Sequence, residues 1–177
     1  MAPVLPARAC DTHRPGHDRA MRTLVSLSAI LLGLLGAPAH AAPSAEEQAV
    51  LAPLQAFLGG IATGDKAAML GQTLPDAMIT RVGDGKITQK PLRALVEGVP
   101  PAGKRKLEER IHDPLIRIDE DLAIIWAPYE FLVDGKVDHC GTDVVEVVRR
   151  DGRWLIAGLA DTSRKTCGAT GAKPAPR

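Results

Sequence analysis

Most of the residues able to do chemistry in this chain fall between Trp126 and Asp143: Trp126, Tyr129, Glu130, His139, Cys140 and Asp143, with His112 upstream and Cys167 downstream. An imidazole beside a carboxylate titrates near neutral pH and can pass a proton either way. His139 and Asp143 are therefore the candidate acid–base pair, with Glu130 placed to support the ring. Asp143 stands in the run Thr142-Asp143-Val144-Val145, where a buried unpaired carboxylate would be costly. It should meet a ligand, a helix amide or a tryptophan N–H. Trp126, Tyr129, Glu130 and His112 are the candidate ligand contacts. Each has a plainer role available: Glu130 with His139 as a cross-strand polar pair worth up to about 1 kcal/mol, and His112-Asp113-Pro114 as a bulge.

The two downstream cysteines, Cys140 and Cys167, form an even pair, which in an exported chain favours a disulfide over free or metal-bound thiols. No CxxC or HExxH spacing joins them to His112 or His139, so neither a metal nor a cofactor is expected. The chain also lacks a phosphate-binding glycine loop and a nucleophile elbow.

Three strands must position these residues. Asp134-Gly135 and Asp151-Gly152 are the strongest short hairpin signals a sequence offers. If both are two-residue turns, the first hairpin pairs Phe131 with Asp138, Glu130 with His139, and Trp126 with Asp143. The second pairs Arg150 with Arg153, Val145 with Gly158, and Gly141 with Thr162. Side chains alternate along a strand, so one face carries Trp126, Pro128, Glu130, His139, Gly141, Asp143 and Thr162, the composition of a pocket wall. The other carries Ile125, Ala127, Tyr129, Phe131, Cys140, Thr142 and Val144, suited to a core or a dimer interface. A slip of one residue would exchange the two sets.

Upstream, Ser44 with Glu47 forms a capping box, and Val50, Leu51, Leu54, Phe57, Leu58 and Ile61 recur at helical spacing. Pro53 within that stripe predicts a kinked helix or two shorter ones. Gly64 and Asp65 suit a helix end and the next helix start, and a short helix is expected over Lys66–Gly71. Strands follow over 78–82 and 86–88, then a helix from Pro91 to Glu97, and a long strand over 107–118 bent at His112-Asp113-Pro114. Helices first and then long antiparallel strands predict one α+β domain.

Residues 1–41 read as targeting sequence. Arg22 precedes an apolar run from Leu24 to Leu35, and Ala39-x-Ala41 has the small-x-small form of a cleavage site. Cleavage is expected after Ala41, with Met21 the true start, giving a periplasmic or secreted protein with no membrane span after cleavage. Residues 42–167 form the domain, and 168–177 a disordered tail. Removing 1–41 takes four arginines and two aspartates from the 22 basic and 21 acidic residues, leaving 18 against 19 and a net charge of −1. So balanced a surface is no footprint for nucleic acid.

The order Phe57-x5-Thr63-Gly64-Asp65, Leu74-Pro75-Asp76-Ala77, then Thr142-Asp143 leading into Asp151-Gly152-x-Trp154-x-Ile156 resembles the nuclear transport factor 2-like superfamily, over roughly 45–163. That superfamily includes SnoaL-like cyclases and ketosteroid isomerases, and the most similar branch is described as putative lumazine-binding. The resemblance implies a cone: a curved antiparallel sheet of about six strands around two or three N-terminal helices. It implies three functions to separate. The first is a module binding a small, partly aromatic molecule and dimerising through its sheet. The second is a cofactor-independent isomerase or dehydratase using His139 and Asp143, and the third a purely structural dimerisation module.

Overall fold

A computed structural model describes residues 42–168. Helix α1 spans Ala45–Thr63 and α2 Lys66–Leu70; strand β1 spans Thr73–Gly83 and β2 Lys86–Pro91. Helix α3 covers Leu92–Glu97, followed by β3 (Leu107–Ile111), β4 (Leu115–Asp119), β5 (Leu122–Val133), β6 (Lys136–Arg150) and β7 (Arg153–Arg164). The expected targeting segment and the tail beyond residue 168 lie outside the described residues.

Helix α1 begins at the expected capping box: the Ser44 hydroxyl accepts from the Glu47 N–H at 3.1 Å, and the Ser44 N–H donates to Glu47 Oε2 at 2.7 Å. Of the two outcomes expected at Pro53, a kink or a division, the helix does not divide and runs on through it. An interior proline costs about 3 kcal/mol, but Val50, Leu54 and Phe57 on the same stripe are almost wholly buried. Each such side chain contributes about 1.5–3 kcal/mol, so packing outweighs the proline. Gly64 closes the helix at φ 70°, where a Cβ would also lie 2.7 Å from the Ala102 amide. Asp65 then caps α2, accepting from the Ala68 N–H at 2.9 Å.

The sheet has seven strands rather than about six, in the order β2-β1-β7-β6-β5-β3, with β4 also on β5. The stretch expected as one strand over 107–118 is divided at His112-Asp113-Pro114, where Asp113 takes a positive φ of 41°, and both halves pair with β5. Strand β1 begins at Thr73, earlier than expected, and it lies parallel to β7. The sheet is therefore not wholly antiparallel. α1 packs on the inner face, with Val50, Leu54, Phe57 and Ile61 meeting Ile79, Ile125, Val145, Val147 and Ile156 in one core. At the rim, Arg149 on β6 pairs with Glu46 of α1 and lies 4.5 Å above the Trp154 ring, tying the helix start to the sheet.

Both hairpin turns have the expected form. Asp134 and Gly135 take φ of 52° and 79°, and Asp151 and Gly152 take 53° and 74°, the paired positive values of a type I′ turn. The registers beyond the turns differ from expectation, because each hairpin contains a bulge. Leu132 pairs with Val137 but Phe131 with His139, leaving Asp138 without a partner. Val147 pairs with Ile156 but Glu146 with Gly158, leaving Ala157 without one. A bulge places two residues against one, so every pair beyond it shifts by one position. Glu130 consequently faces Cys140 rather than His139, Trp126 faces Val144 rather than Asp143, and Gly141 faces Ser163 rather than Thr162.

Candidate functional site

The bulges decide which side chains enter the cone. On β5 the inner face carries Ala123, Ile125, Ala127, Tyr129 and Phe131; Trp126, 51% exposed, faces outward with Ile124 and Leu122. Opposite Phe131, Tyr129 and Ala127 stand His139, Gly141 and Asp143 of β6. Opposite Asp143, in turn, stands Asp161 of β7, and opposite Asp161 stands Arg81 of β1. His139, Asp143 and Tyr129 are thus brought together inside the cone. Trp126, Glu130 and His112 are not: His112 Nε2 lies 3.5 Å from Glu130 Oε2 beyond the inner wall, with no hydrogen bond to it.

A cavity of about 190 Å³ opens above this inner wall, lined by Phe57, Ile61, Leu95, Val99, Leu107 and Phe131, with Arg81, Glu109 and His139 as its polar members. Arg81 and Asp161 form a forked pair: Nε donates to both carboxylate oxygens at 2.9 Å, and Nη2 to Oδ2 at 2.5 Å. The fork fixes both groups, and this bond to Asp161 raises the guanidinium's already high pKa. Asp161 is 5% exposed and Asp143 3%. Asp143 Oδ2 meets no N–H or hydroxyl donor among the described residues; its neighbour is the carboxyl of Glu109.

Three carboxyl groups therefore share the wall with one guanidinium, and Asp161 occupies the guanidinium. Two carboxylates in contact cannot both stay charged in a desolvated site. Burial raises Asp143 well above the ordinary carboxylate range, and the adjacent Glu109 charge raises it further. Burial likewise pushes Glu109 up to about 7, while its hydrogen bond with Asp143 acts in the lowering direction. Burial raises both groups, so the pair holds one proton between them. The two titrate as a unit. Glu109 faces the cavity and remains partly exposed, so it is the member a ligand can reach.

Tyr129 forms the floor. Its ring is 1% exposed and its hydroxyl donates to the Thr162 carbonyl at 2.9 Å. Burial first, then the nearby carboxylates, holds the phenol protonated. The ring needs Gly141 beneath it: a Cβ there would lie 2.6 Å from Tyr129 Cε1 and 1.7 Å from the Thr162 oxygen. At the mouth, His139 stacks on Phe131 at 4.9 Å and meets Tyr129 edge-on at 5.8 Å.

Cys140 and Cys167 are joined as a disulfide, with Cα atoms 5.8 Å apart. Cys140 points away from the cavity, yet it is fully buried, because the segment after β7 returns across it. Among the described residues no group of three or more His, Cys, Asp or Glu is arranged to hold a metal ion.

Arg81, Glu109 and Asp161 were not among the candidates, although alternation singles out two of them. Ala77-x-Ile79-x-Arg81 and Leu107-x-Glu109-x-Ile111 each place a charged residue on the apolar face of its strand. Asp161, near the end of β7 and followed by Thr162 and Ser163, carries no such mark.

A family model described as putative lumazine-binding matches residues 45–158. No curated protein matches the sequence. Among solved structures, an NTF2-like protein of unknown function from Shewanella baltica is 21% identical with a TM-score of 0.52, over 68% of this chain and 95% of that one. An NTF2-like protein from Cytophaga hutchinsonii is 17% identical with a TM-score of 0.56, over 68% and 100%. A cystatin-like fold protein of unknown function from Nostoc punctiforme is 12% identical with a TM-score of 0.54, over 68% and 93%. At these identities the likeness is one of fold: a curved, open sheet with its helices at the N-terminal end.

Proposed function

The chain belongs to the putative lumazine-binding family, and from that premise we propose that its cone holds a small flat heterocycle presenting a ring N–H to Glu109. The observation that carries this reading is the cavity itself: six apolar side chains, two of them phenylalanines, around the partly exposed carboxyl of Glu109, whose partner Asp143 is buried. Such a combination of apolar wall and few polar groups is how proteins hold small ligands. The volume of about 190 Å³ lies below the about 300 Å³ at which drug-sized pockets begin. A ligand of one or two fused rings is therefore favoured over anything larger. Lumazine, the two-ring compound in the family's description, is the first probe.

Export to the periplasm or beyond belongs to the same reading, supported by the apolar run and small-x-small site before residue 42 and by the disulfide. So does a homodimer through the outer face of the sheet, supported by the exposed Trp126, Ile124, Leu122, Met78 and Val82. A second reading, a cofactor-independent isomerase or dehydratase, has one specific observation in its favour. Glu109 rises to about 7, where a carboxyl group can both take and return a proton near neutral pH. In that reading Glu109 is the group that exchanges the proton with substrate, and Asp143 sets its basicity.

Calorimetric titration with lumazine tests the binding reading. One site per chain is expected in the wild type, with affinity at least about tenfold weaker in Glu109→Ala, since that variant removes a charge-assisted hydrogen bond. Equal affinity in the two proteins would move the site out of the cone. No heat with lumazine, together with no small molecule carried by the purified protein in native mass spectrometry, would overturn the reading.

A further inference from the structure

The bulge in β6 does more than shift the register. Asp138 has no cross-strand partner, and a bulged residue is re-aimed away from its pleat position. Its carboxylate returns beside the next residue: Oδ2 lies 2.9 Å from His139 Nδ1 and 3.0 Å from Lys165 Nζ. An ionised carboxylate only accepts, so both nitrogens donate to it. Together these bonds hold the Asp138 carboxyl below its ordinary range, with the His139 contribution first and Lys165 second.

The hydrogen on the neutral ring is therefore on Nδ1, and Nε2 carries the lone pair. Nε2 has no hydrogen-bond partner among the described residues. The ring cannot easily turn to exchange the two nitrogens, because Phe131 stacks on it and Tyr129 meets its edge. Lys165 is restrained as well. It stands two residues before Cys167, whose disulfide partner Cys140 is the residue next to His139.

We infer that Asp138 is a positioning residue of the cone: it fixes His139 as the Nδ1–H tautomer, so that Nε2 offers the cavity a hydrogen-bond acceptor and selects a ligand with an N–H or O–H donor at the mouth. The selection rests on the cone being the ligand site; the tautomer does not. With Glu109 also accepting, the ligand must donate at two points. That favours a ring with more than one N–H over an aromatic acid, whose carboxylate would meet two acceptors.

The two parts are tested separately. In the ligand-free full chain, labelled with nitrogen-15 in its imidazoles, long-range nitrogen–proton spectra near pH 8.5, about two units above the ordinary imidazole value, report the tautomer directly. The His139 signals are identified by their loss in His139→Gln. The expected result is Nδ1–H in the wild type, a shift of about tenfold in the tautomer ratio toward Nε2–H in Asp138→Ala, and recovery in Asp138→Glu. An Nε2–H ring in the wild type, or a ratio unchanged in Asp138→Ala, overturns the assignment. Asp138 is an exposed side chain on a bulge, so the alanine variant is expected to fold.

Lumazine titration of the same proteins then tests selection. Weaker binding in Asp138→Ala with recovery in Asp138→Glu supports it, and equal affinity in all three overturns it. If the wild type binds no lumazine but shows the Nδ1–H tautomer, the ligand reading fails while the positioning role stands.

Discussion

Replacing Glu109 with glutamine should lessen a pH dependence of stability that runs against the usual direction. Glu109 has a folded-state pKa of about 7 against an ordinary 4.5, chiefly because burial penalises its charge. That difference corresponds to about 3 kcal/mol. The folded protein here holds a proton that the unfolded chain has released between about pH 4.5 and about pH 7. Stability should therefore be greatest at the acid end of that window and decline as the pH rises through it. Asp143, also raised, acts with the same sign. Glu47, Glu108 and Asp138 have lowered values. They lose their contribution only as the pH falls through those lowered values, below the window. Urea unfolding of the oxidised protein from about pH 5 to about pH 8 should show a decline of at least about 2–3 kcal/mol in the wild type, with Asp143 adding to the Glu109 share. Glu109→Gln, neutral at every pH, should lose the Glu109 share of that decline, keep what burial of Asp143 contributes, and exceed the wild type at the alkaline end. A wild type whose stability is level or rises across the window would refute the reasoning, as would a Glu109→Gln variant that keeps the full slope.

Arg81→Met should cost about 3–5 kcal/mol, because it leaves the Asp161 carboxylate, with 4% of its side chain exposed, buried without its partner. The double variant Arg81→Met/Asp161→Leu should recover most of that in urea unfolding; a single variant within about 1 kcal/mol of wild type would show that the fork contributes little. Reduction of Cys140–Cys167, which spans a sequence separation of 27, should lower stability by about 3–4 kcal/mol on the chain-entropy account. Unfolding with and without reductant measures this directly, and coincident curves would count against it.

Much of the fold was legible because it rests on local chemistry that tertiary packing reinforces. The Ser44–Glu47 box, the cap at Gly64-Asp65, the Asp134-Gly135 and Asp151-Gly152 turns and the pairing of Cys140 with Cys167 all stand where the sequence places them. Departures from expectation came where packing overrode a local rule. At Pro53 a kink or a division was expected; the helix does not divide, and the stripe around the proline is buried. Thr73 to Ala77 carries Pro75 and a charged Asp76, which argue against a strand. Met78 to Gly83 nevertheless pairs with β7, and Thr73 meets Ile156 across a register shift. The parallel sense of that pairing has no local signature at all, since it depends on where the chain returns after some eighty residues.

The candidate site was legible only in part for a more specific reason. Hairpin arithmetic propagates a register outward from the turn, and one unpaired residue reverses every assignment beyond it. Without the extra residue at Asp138, Glu130 and Trp126 would share a face with His139 and Asp143. With it, Tyr129 and Phe131 take their places and Trp126 turns outward. Without the extra residue at Ala157, Ala160 would stand behind Asp143; with it, Asp161 does, and brings Arg81 in from β1. The second bulge left a trace, for the inner apolar positions of β7 run Trp154, Ile156, Leu159, a period of two that stretches once to three. The first left none in hydrophobicity, because β5 is apolar on both faces from Leu122 to Ala127. What distinguishes the two β5 faces is charge on the neighbouring strand: Glu109 lies opposite Phe131, where it shares a proton with the buried Asp143. The inner face of the cone is thus set by which arrangement lets three carboxyls share one guanidinium and one proton.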